Sequence, residues 1–468
     1  MKLFNTMTMK KEEFVPLAPG AVKMYACGPT VYNYIHVGNA RPLIIFDVLR
    51  RYLAYRGYDV TFVQNFTDVD DKIIGRAKEE GTTPEAVAEK YITEYFKDAE
   101  GLGVRAATIH PRATENIGEI ISLIETLVDK GSAYVSNGDV YFKTSSFPQY
   151  GKLSHQPLDE LMAGARIDVS DVKESPMDFA LWKAAKPGEP FWQSPWGAGR
   201  PGWHIECSAM SSRYLGKTID LHCGGQDLTF PHHENEIAQS EAANGTEFVR
   251  YWLHNGFISI DNKKMSKSLG NFFTVREAAE AYGYDTIRMF MLMSHYRSPL
   301  NYSGDILIQA KNALDRLKTF RKNLLFVQQN GADGGLSENE KTATAALPGY
   351  RERFIEAMDD DFNTADAIAV LFELVREGNS MTAADKNPSK ALATAILALF
   401  DELDGVLGLL YAETGAENLA DTVEALIAAR QAARQAKNWA EADRIRDDIK
   451  AMGIVLEDTP QGVKWHKA

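Results

Sequence analysis

The chain has 468 residues and a formal net charge of -13, from 51 lysines and arginines against 64 aspartates and glutamates. This length is enough for about three domains of ~150 residues. The acidic balance excludes a protein that attracts nucleic acid through its overall field, so any such contact depends on local basic patches. Three cysteines, an odd number, argue against a disulfide framework. No apolar stretch is long enough for a signal peptide or for the roughly 18 residues of a membrane span, so we expect a cytoplasmic protein.

A β-α-β unit is predicted near the start of the chain. Residues 22–26 and 58–64 are strand-like runs, and residues 40–56 have the periodicity of a helix. Such a unit places a nucleotide at the first crossover of a parallel sheet. Thr83 and Pro84 then predict the cap and the first position of another helix. The predicted fold class is α/β, with a Rossmann-like parallel sheet.

The pattern changes between residues 114 and 200, where we predict an inserted subdomain. Residues 133–142 contain two alternating strands joined by a turn at Asn137 and Gly138. The sheet resumes near Gly202, and helical periodicity dominates beyond residue 311, interrupted by a glycine-rich loop. The predicted segments are 1–113 and 201–310 for the two halves of the sheet domain, 114–200 for the insertion, 311–414 for an α-helical bundle and 415–468 for a small C-terminal module.

Residues 36–39, His-Val-Gly-Asn, follow the first strand and open the first helix. The backbone amides and the positive end of the helix dipole favour phosphate at such a position. His36 and Asn39 can donate hydrogen bonds to phosphate oxygens, and Gly38 lets a flat base approach the backbone. Taken alone, the segment can equally be a helix cap.

A basic segment lies at residues 264–268, Lys-Met-Ser-Lys-Ser, in a loop closed by residues 269–271. Lys264 and Lys267 can neutralise charge as pyrophosphate leaves a nucleoside triphosphate. Taken alone, this segment can equally be a solvated basic turn. The two segments on one chain favour a site in which they contact opposite sides of one nucleoside triphosphate.

Cysteine, histidine and glutamate residues suggest a metal site in the same part of the chain. His232 and Glu236 are four apart on a predicted helix, so their side chains share one face, and Cys27 and Cys207 add two thiols. This set suits Zn²⁺ better than Mg²⁺ or Ca²⁺. From the residues alone, small core cysteines are the better interpretation of Cys27 and Cys207. Cys223 is a rival ligand, although its glycine-rich surroundings favour backbone packing.

Four longer strings extend these motifs. They are residues 26–32 (Ala-Cys-Gly-Pro-Thr-Val-Tyr), 65–72 (Asn-Phe-Thr-Asp-Val-Asp-Asp-Lys), 202–210 (Gly-Trp-His-Ile-Glu-Cys-Ser-Ala-Met) and 230–236 (Phe-Pro-His-His-Glu-Asn-Glu). With them, the chain resembles class I aminoacyl-tRNA synthetases and, among these, the cysteinyl-tRNA synthetases, from Leu3 to Trp465. The basic segment matches the Lys-Met-Ser-Lys-Ser signature in full. The other segment departs from the His-x-Gly-His signature, because Asn39 replaces the second histidine while still supplying a donor.

The resemblance implies an enzyme that activates L-cysteine with ATP and transfers it to tRNA(Cys). Mg²⁺ would accompany the ATP. The residues implied in ATP binding are His36, Asn39, Lys264 and Lys267 for the phosphates, where they are also the catalytic set, Gly38 for adenine and Asp227 for the ribose. Asp227 can equally be an ordinary loop carboxylate.

The resemblance also makes one zinc ion per chain the expected ligand of the metal set, with Cys223 left out. The implied ligands are Cys27, Cys207, His232 and Glu236. Such an ion can bind the substrate thiolate and so select cysteine over serine, which shape alone cannot do to the extent that translation requires. The residues implied to complete the amino-acid pocket are Thr67, Trp203 and His222, each of which can equally be core packing.

The C-terminal module is only mildly basic, and its tryptophans suit either an anticodon loop or a solvated helix packed on a bundle. Composition alone favours the helix, whereas the resemblance implies recognition of the anticodon. The residues implied are Arg434, Trp439, Asp443 and Asp458. We expect a monomer with tRNA(Cys), L-cysteine and ATP as partners and no membrane association.

Two alternatives stay open. The ATP-dependent cysteine ligase of mycothiol biosynthesis resembles this fold but transfers cysteine to an amino sugar and generally lacks the C-terminal module. The other is a catalytically silent, zinc-bearing RNA-binding relative, against which the intact Lys264 and Lys267 count.

Overall fold

A computed structural model of the chain describes residues 1–155, 173–260, 263–264, 273–435, 438–452, 454–459 and 462–467. The chain divides into two compact units, Met1–Leu409 and Leu410–Ala468, each described by itself below. Among the described residues, no helix combines the length and the apolar character needed to cross a bilayer.

The first unit begins with a short hairpin and then the predicted β-α-β unit. Its elements in chain order are β1 (Lys2–Asn5), β2 (Lys10–Glu13), β3 (Ala21–Ala26), α1 (Val37–Tyr55), β4 (Asp59–Gln64), α2 (Asp71–Glu80) and α3 (Pro84–Gly101). The predicted strand, helix and strand are confirmed, with ends that differ by at most three residues. The predicted cap of α3 is also confirmed, because the Thr83 side chain accepts a hydrogen bond from the Ala86 amide.

The described part of the predicted insertion contains one α-helix and a five-stranded antiparallel sheet. Its elements are α4 (Ile117–Asp129), β5 (Ala133–Ser136), β6 (Asp139–Phe142), β7 (Phe179–Ala184), β8 (Trp192–Ser194) and β9 (Gly197–Pro201), with strand order β5-β6-β7-β9-β8. The turn between β5 and β6 is confirmed, since Asn137 and Gly138 both have positive φ angles, 53° and 88°. The sequence pattern missed β7, β8 and β9, because β8 and β9 are short and β9 is rich in glycine.

The chain then returns to the parallel sheet. The elements that follow are α5 (Trp203–Leu215), β10 (Ile219–Gly225), a 3₁₀ turn (Gln226–Leu228), an irregular turn (Thr229–His233), α6 (Glu234–Asn244), β11 (Val249–Asn255), β12 (Ile258–Ile260), β13 (Lys263–Lys264), α7 (Val275–Tyr282), α8 (Tyr284–Leu292) and β14 (Leu300–Tyr302). The sheet has the order β11-β10-β3-β4, and every pair in it is parallel. The carboxyl ends of its four strands therefore meet at one edge, where ligands of such sheets bind.

Helices complete the first unit. They are α9 (Gly304–Asn330), α10 (Glu338–Ala345), α11 (Leu347–Asp359), α12 (Thr364–Met381) and α13 (Lys390–Leu407). The helical bundle is confirmed, and the predicted glycine-rich loop separates α9 from α10. The predicted border between residues 310 and 311 lies inside α9, so this helix belongs to both predicted segments. The finer division of the chain into five segments stays a prediction.

The second unit packs two helices against a hairpin. Its elements are α14 (Tyr411–Gln435), α15 (Trp439–Ala451), β15 (Ile454–Thr459) and β16 (Gly462–Lys467), with β15 and β16 antiparallel. Its apolar cluster comprises Val423, Ile427, Ile445, Ile449 and Ile454. This small core joins both helices to the first strand of the hairpin.

Candidate active site

Three loops follow neighbouring strands of the parallel sheet at its carboxyl edge. Cys27 follows β3, Asn65 follows β4, and Asp227 lies in the 3₁₀ turn after β10. The Gly28 amide donates to the Asn65 side-chain oxygen at 3.0 Å. A Cβ atom on Gly28 would lie 1.6 Å from the Asn65 carbonyl oxygen, so only glycine fits there. The position of Cys27 therefore depends on a close backbone contact beside it.

We expect Gly28→Ala to displace Cys27 and to lower the occupancy of the metal site that the sequence predicts at this cysteine. The added methyl group has no space, and overpacking of this kind typically costs about 1–3 kcal/mol of stability. Thermal unfolding and metal content per chain would measure both effects. Gly118→Ala is the matched control, because a Cβ at this exposed helical position meets nothing within 4 Å. Equal behaviour of the two variants would contradict the prediction.

Two thiols, an imidazole and a carboxylate converge beside this loop. The ligand atoms of Cys27, Cys207, His232 and Glu236 all lie within 4.8 Å of one another. The Cys27 sulfur is 3.6 Å from the Cys207 sulfur, 3.4 Å from His232 Nε2 and 3.2 Å from Glu236 Oε1. His232 Nε2 lies 3.7 Å from the Cys207 sulfur and 2.9 Å from Glu236 Oε1. The predicted pairing of His232 with Glu236 across one helical turn is confirmed.

These distances fit a tetrahedral metal site. Ligand atoms 2.0–2.3 Å from one tetrahedral zinc ion lie roughly 3.3–3.8 Å apart, close to the separations in the cluster. A second overlapping set, Cys27, His222, His233 and Glu236, meets the same distance limit. The two sets share Cys27 and Glu236, so they describe one location with two choices for the remaining ligands.

His233 is nearer to this location than its position next to His232 predicts. A regular helix would direct both His233 and Glu234 away from the face of His232. Glu234 does point away and accepts from the backbone amides of Leu153 and Ser154, but His233 Nε2 lies 3.5 Å from the Cys27 sulfur. The prediction that His233 points elsewhere is wrong, because His233 has helical backbone angles (φ -69°, ψ -33°) and precedes Glu236 by three residues, a spacing that makes side chains neighbours on a helix.

A layer of polar groups orients the cluster. His204 Nδ1 lies 2.8 Å from His232 Nδ1, and His222 Nε2 lies 2.9 Å from Glu236 Oε2. On the other side, His233 Nδ1 is 2.8 Å from His254 Nε2. Second contacts of this kind hold the rings and carboxylates of metal sites in place. The sequence motifs indicated neither His204 nor His254 as part of the site, because these contacts join separate elements.

The neighbours of the titratable groups in the cluster shift the pKa values of those groups. Burial raises the pKa of the Glu236 carboxyl, but His222 and His232 outweigh it and hold that pKa well below its usual range. Burial lowers the pKa of His232, but Glu236 and Cys207 raise it to about 10. The hydrogen bond with Cys27 lowers the pKa of the Cys207 thiol to about 6. The cluster thus contains anionic donor atoms that suit a cation, whose binding would release protons.

The three residues implied in the amino-acid pocket border the cluster. The Trp203 ring stacks on His232 with a centroid distance of 4.2 Å and is 41% exposed, so one part of it faces solvent. His222 is fully buried against Glu236. Thr67 is buried and donates its hydroxyl proton to Glu206 at 2.7 Å. The sequence motifs did not indicate Glu206, whose contact with Thr67 links residues 139 positions apart.

Residues 36–39, which are predicted to bind phosphate, lie at the start of α1. His36 precedes the first helical residue with extended backbone angles, and its amide donates to the Asn39 side-chain oxygen at 3.2 Å. This bond leaves the amide nitrogen of Asn39 as the donor end of the side chain. Gly38 lies in the first turn of α1 and is half-buried.

Backbone hydrogen bonds join the start of α1 to residues 273–275, which follow the basic segment. The Val37 amide donates to the Phe273 carbonyl at 3.1 Å, and the Val275 amide donates to the Ile35 carbonyl at 2.9 Å. Lys264 lies in β13, opposite Ser259 of β12. Lys267 and the Lys264 side chain lie outside the described residues. The chain is therefore joined to β12 at Lys264, where the basic segment begins, and to the start of α1 at residues 273–275, which follow the segment.

The remaining predicted site residues lie in or after β10 of the parallel sheet, and in the second unit. Asp227 is exposed in the turn after β10. Cys223 is fully buried within β10, and burial raises the pKa of its thiol. In the second unit, Arg434 lies in the last turn of α14, while Trp439, 59% exposed, and Asp443 are four apart on one face of α15. Asp458 lies in β15, and its side chain is outside the described residues.

Family models match most of the chain. The tRNA synthetases class I (C) catalytic domain matches residues 13–312, and the DALR domain matches residues 353–411. The Cysteinyl-tRNA ligase anticodon binding domain matches residues 416–465. The cysteine–tRNA ligase of Clostridioides difficile (strain 630) is 58% identical over 467 residues, which cover 100% of both chains. The chain belongs to the cysteine–tRNA ligase family.

Other comparisons agree with this assignment. The cysteine–tRNA ligase of Caldicellulosiruptor saccharolyticus is 57% identical over 99% of both chains. Among solved structures, Mycobacterium tuberculosis methionyl-tRNA synthetase in complex with methionyl-adenylate has a TM-score of 0.60 at 18% identity, covering 83% of this chain and 90% of the other. This likeness shows the class I synthetase fold, so the predicted fold class is confirmed. The enzyme is a class I aminoacyl-tRNA ligase, and its anticodon-domain match disfavours the mycothiol alternative.

Proposed function

We propose that this cysteine–tRNA ligase family member activates L-cysteine with ATP and transfers it to tRNA(Cys). In the first step, the cysteine carboxylate attacks the α-phosphorus of ATP, forming cysteinyl-adenylate and releasing pyrophosphate. In the second, the terminal ribose hydroxyl of tRNA attacks the activated carbonyl and AMP leaves. The observation that carries the proposal is the full-length identity of 58% to a cysteine–tRNA ligase. The thiol-rich cluster at the ligand-binding edge of the sheet supports it.

Four residues are proposed to hold one Zn²⁺. They are Cys27, Cys207, His232 and Glu236. Of the two overlapping sets, this one has two sulfur ligands, which suits zinc better. When bound, zinc supplies a ligand position that favours the substrate thiolate and that a serine hydroxyl cannot imitate. Thr67, Trp203 and His222 are proposed to complete the pocket around the amino acid.

Residues of both signature segments, together with Asp227, are proposed to bind ATP, which Mg²⁺ accompanies. They are His36, Asn39, Lys264 and Lys267 at the phosphates, Gly38 at the adenine and Asp227 at the ribose. The start of a helix favours phosphate, and residues 273–275, which follow the basic segment, are hydrogen-bonded beside that start. Because little covalent help is needed, positioning and charge stabilisation account for the catalysis.

We expect Lys267→Ala to lower the turnover of adenylate formation about a hundredfold. Its ammonium group would interact mainly with charge that develops as pyrophosphate leaves, and removing one such donor typically costs ~3 kcal/mol. The Michaelis constant for cysteine should change little. Cysteine-dependent ATP–pyrophosphate exchange measures both quantities. Lys263→Ala, just before the segment in β13, is the control, and wild-type turnover in Lys267→Ala would refute the role.

The second unit is proposed to read the anticodon of tRNA(Cys). The residues proposed are Arg434, Trp439, Asp443 and Asp458. The exposed Trp439 offers a stacking surface, and Asp443 adds a polar group on the same face. The match of residues 416–465 to an anticodon-binding family supports this assignment.

The proposed function is tested by two assays in sequence. Cysteine-dependent ATP–pyrophosphate exchange tests activation, and its absence would favour a catalytically silent relative. Addition of tRNA or of an amino sugar then tests the acceptor. We expect cysteine to be transferred to tRNA alone, and transfer to the amino sugar alone would contradict the proposal.

A further inference from the structure

Arg41 carries a charge buried deep in the first unit. It lies in α1, five residues after His36, and its side chain is fully buried. Its hydrogen-bond partners among the described residues are backbone carbonyl oxygens. These are Gly256 at 2.7 Å, Phe257 at 3.2 Å, Ser298 at 2.6 Å and His295 at 3.4 Å. A buried guanidinium is costly to desolvate, so four such bonds to two separate segments indicate a specific role.

The carbonyl groups belong to two segments in direct contact. Residues 256–257 connect β11 to β12, and residues 295–298 precede β14, which pairs with β12. A Cβ atom on Gly256 would lie 2.7 Å from the carbonyl oxygens of both Arg297 and Ser298. The Gly256 amide donates to the Tyr296 carbonyl at 2.9 Å. Arg41 therefore binds the base of β12 through both segments at once.

Asp361 fixes residues 295–298 from the bundle side. This fully buried carboxylate accepts from Arg297 Nε at 2.7 Å and from the Tyr296 hydroxyl at 3.0 Å. It also accepts from the Phe4 amide at 2.7 Å. The segment is thus tied to the bundle by Asp361 and to α1 by Arg41.

Strand β12 connects residues 256–257, which Arg41 binds, to the basic segment. Ser259 of β12 pairs with Lys264 of β13, which begins the basic segment. Residues 273–275 follow the segment in the chain and pair with residues 35–37, since the Val37 amide donates to the Phe273 carbonyl. The start of α1 therefore contacts the chain after the segment through backbone bonds, and Arg41 contacts residues 256–257, which precede β12 and the segment.

We propose that Arg41 is a positioning residue for adenylate formation: it holds β12 and β13, and with them Lys264, in register with the first turn of α1, which contains Asn39. This rests on the proposed function, because adenylate formation is the reaction measured. Small displacements of charged groups at such sites reduce rates strongly, since catalysis depends on their placement.

Arg41→Met and Arg41→Lys test the proposal, with Arg50→Met as a matched control. Arg50 lies on the same helix and also donates to a backbone carbonyl, that of Ala106, but it is only half-buried. We expect Arg41→Met to lower the turnover of ATP–pyrophosphate exchange about 10- to 100-fold. The Michaelis constant for cysteine and the zinc content should stay within twofold of wild type. Arg41→Lys should recover part of the turnover, because an ammonium group donates three hydrogen bonds.

Hydrogen exchange provides a reading that does not depend on activity. In both Arg41 variants, amides 256–260 should exchange faster than in wild type, while those of β10 should not change. The proposal would be overturned if the turnover of Arg41→Met were no lower than that of Arg50→Met. It would also be overturned if hydrogen exchange became equally faster throughout the parallel sheet. If Arg41→Met fails to fold, Arg41→Lys decides by the same two measurements. If the wild-type enzyme showed no ATP–pyrophosphate exchange, that result would contradict the proposed function instead. The hydrogen-exchange measurement would then decide the role of Arg41.

Discussion

Cys207→Ser should abolish binding of the proposed zinc ion and raise the Michaelis constant for cysteine by orders of magnitude. Cys207 is almost fully buried, and its sulfur lies 3.6 Å from that of Cys27 and 3.7 Å from His232 Nε2. A serine hydroxyl does not ionise as a thiol does, so a tetrahedral site would lose one of its four ligands. Without the metal, cysteine and serine differ only as near-isosteres, which a pocket separates by ~1–3 kcal/mol. The Michaelis constant for ATP should change far less.

Zinc content per chain and the two Michaelis constants are the measurements. Cys223→Ala is the matched control, since Cys223 is also fully buried but lies within β10 and outside both candidate ligand sets. It should retain zinc and cysteine affinity. Full zinc occupancy in both Cys27→Ser and Cys207→Ser would refute the proposed ligands. Loss of zinc in Cys27→Ser but not in Cys207→Ser would instead favour the overlapping set with His222 and His233.

Removal of residues 411–468 should leave pyrophosphate exchange near normal and reduce cysteinylation of tRNA by orders of magnitude. The compact first unit, Met1–Leu409, contains the cluster and the first turn of α1. Leu409 and Leu410 are buried, so the cut is best placed after them and before α14. Exchange and tRNA charging of the truncated and complete chains would be compared. Equal charging by both proteins would contradict the anticodon role of the second unit.

A single substitution makes the same test without truncation. Trp439→Ala removes an exposed ring that could stack on a base, a contact worth roughly 1–3 kcal/mol, so tRNA use should fall about ten- to hundredfold. Exchange should not change. Phe326→Ala is the matched control, because Phe326 is an aromatic residue of the first unit that is 66% exposed. An equal effect of the two substitutions on tRNA charging would argue against base stacking by Trp439.

The local signals in the chain were sufficient for the β-α-β unit and for the pairing of His232 with Glu236. Apolar runs bounded by turn residues predicted β3, α1 and β4, and the spacing of His232 and Glu236 predicted their pairing, which the 2.9 Å contact confirms. Local reasoning was wrong about His233, whose Nε2 lies 3.5 Å from the Cys27 sulfur. His233 precedes Glu236 by three residues, and side chains at that spacing are neighbours on a helix.

Long-range contacts account for most of what local patterns missed. Strands β7, β8 and β9 are stabilised by pairing with one another, and β8 and β9 have little alternation of their own. Glu206, beside Thr67, has no local signal either, because its role depends on a hydrogen bond across 139 positions of the chain. Such residues become visible only once the elements are packed.

The amino-acid sequence alone determined which residue types were available and the elements on which most of them lie. It placed Cys27 after a strand of a parallel sheet and His36 before a helix, and because parallel strands end at one edge, a common site followed. Only the tertiary structure decided that His222 and His204 orient the cluster, and that Arg41 joins α1 to β12 across more than two hundred positions. The physical reason is that a buried hydrogen bond depends on where packing brings two distant backbone segments, which no local pattern specifies.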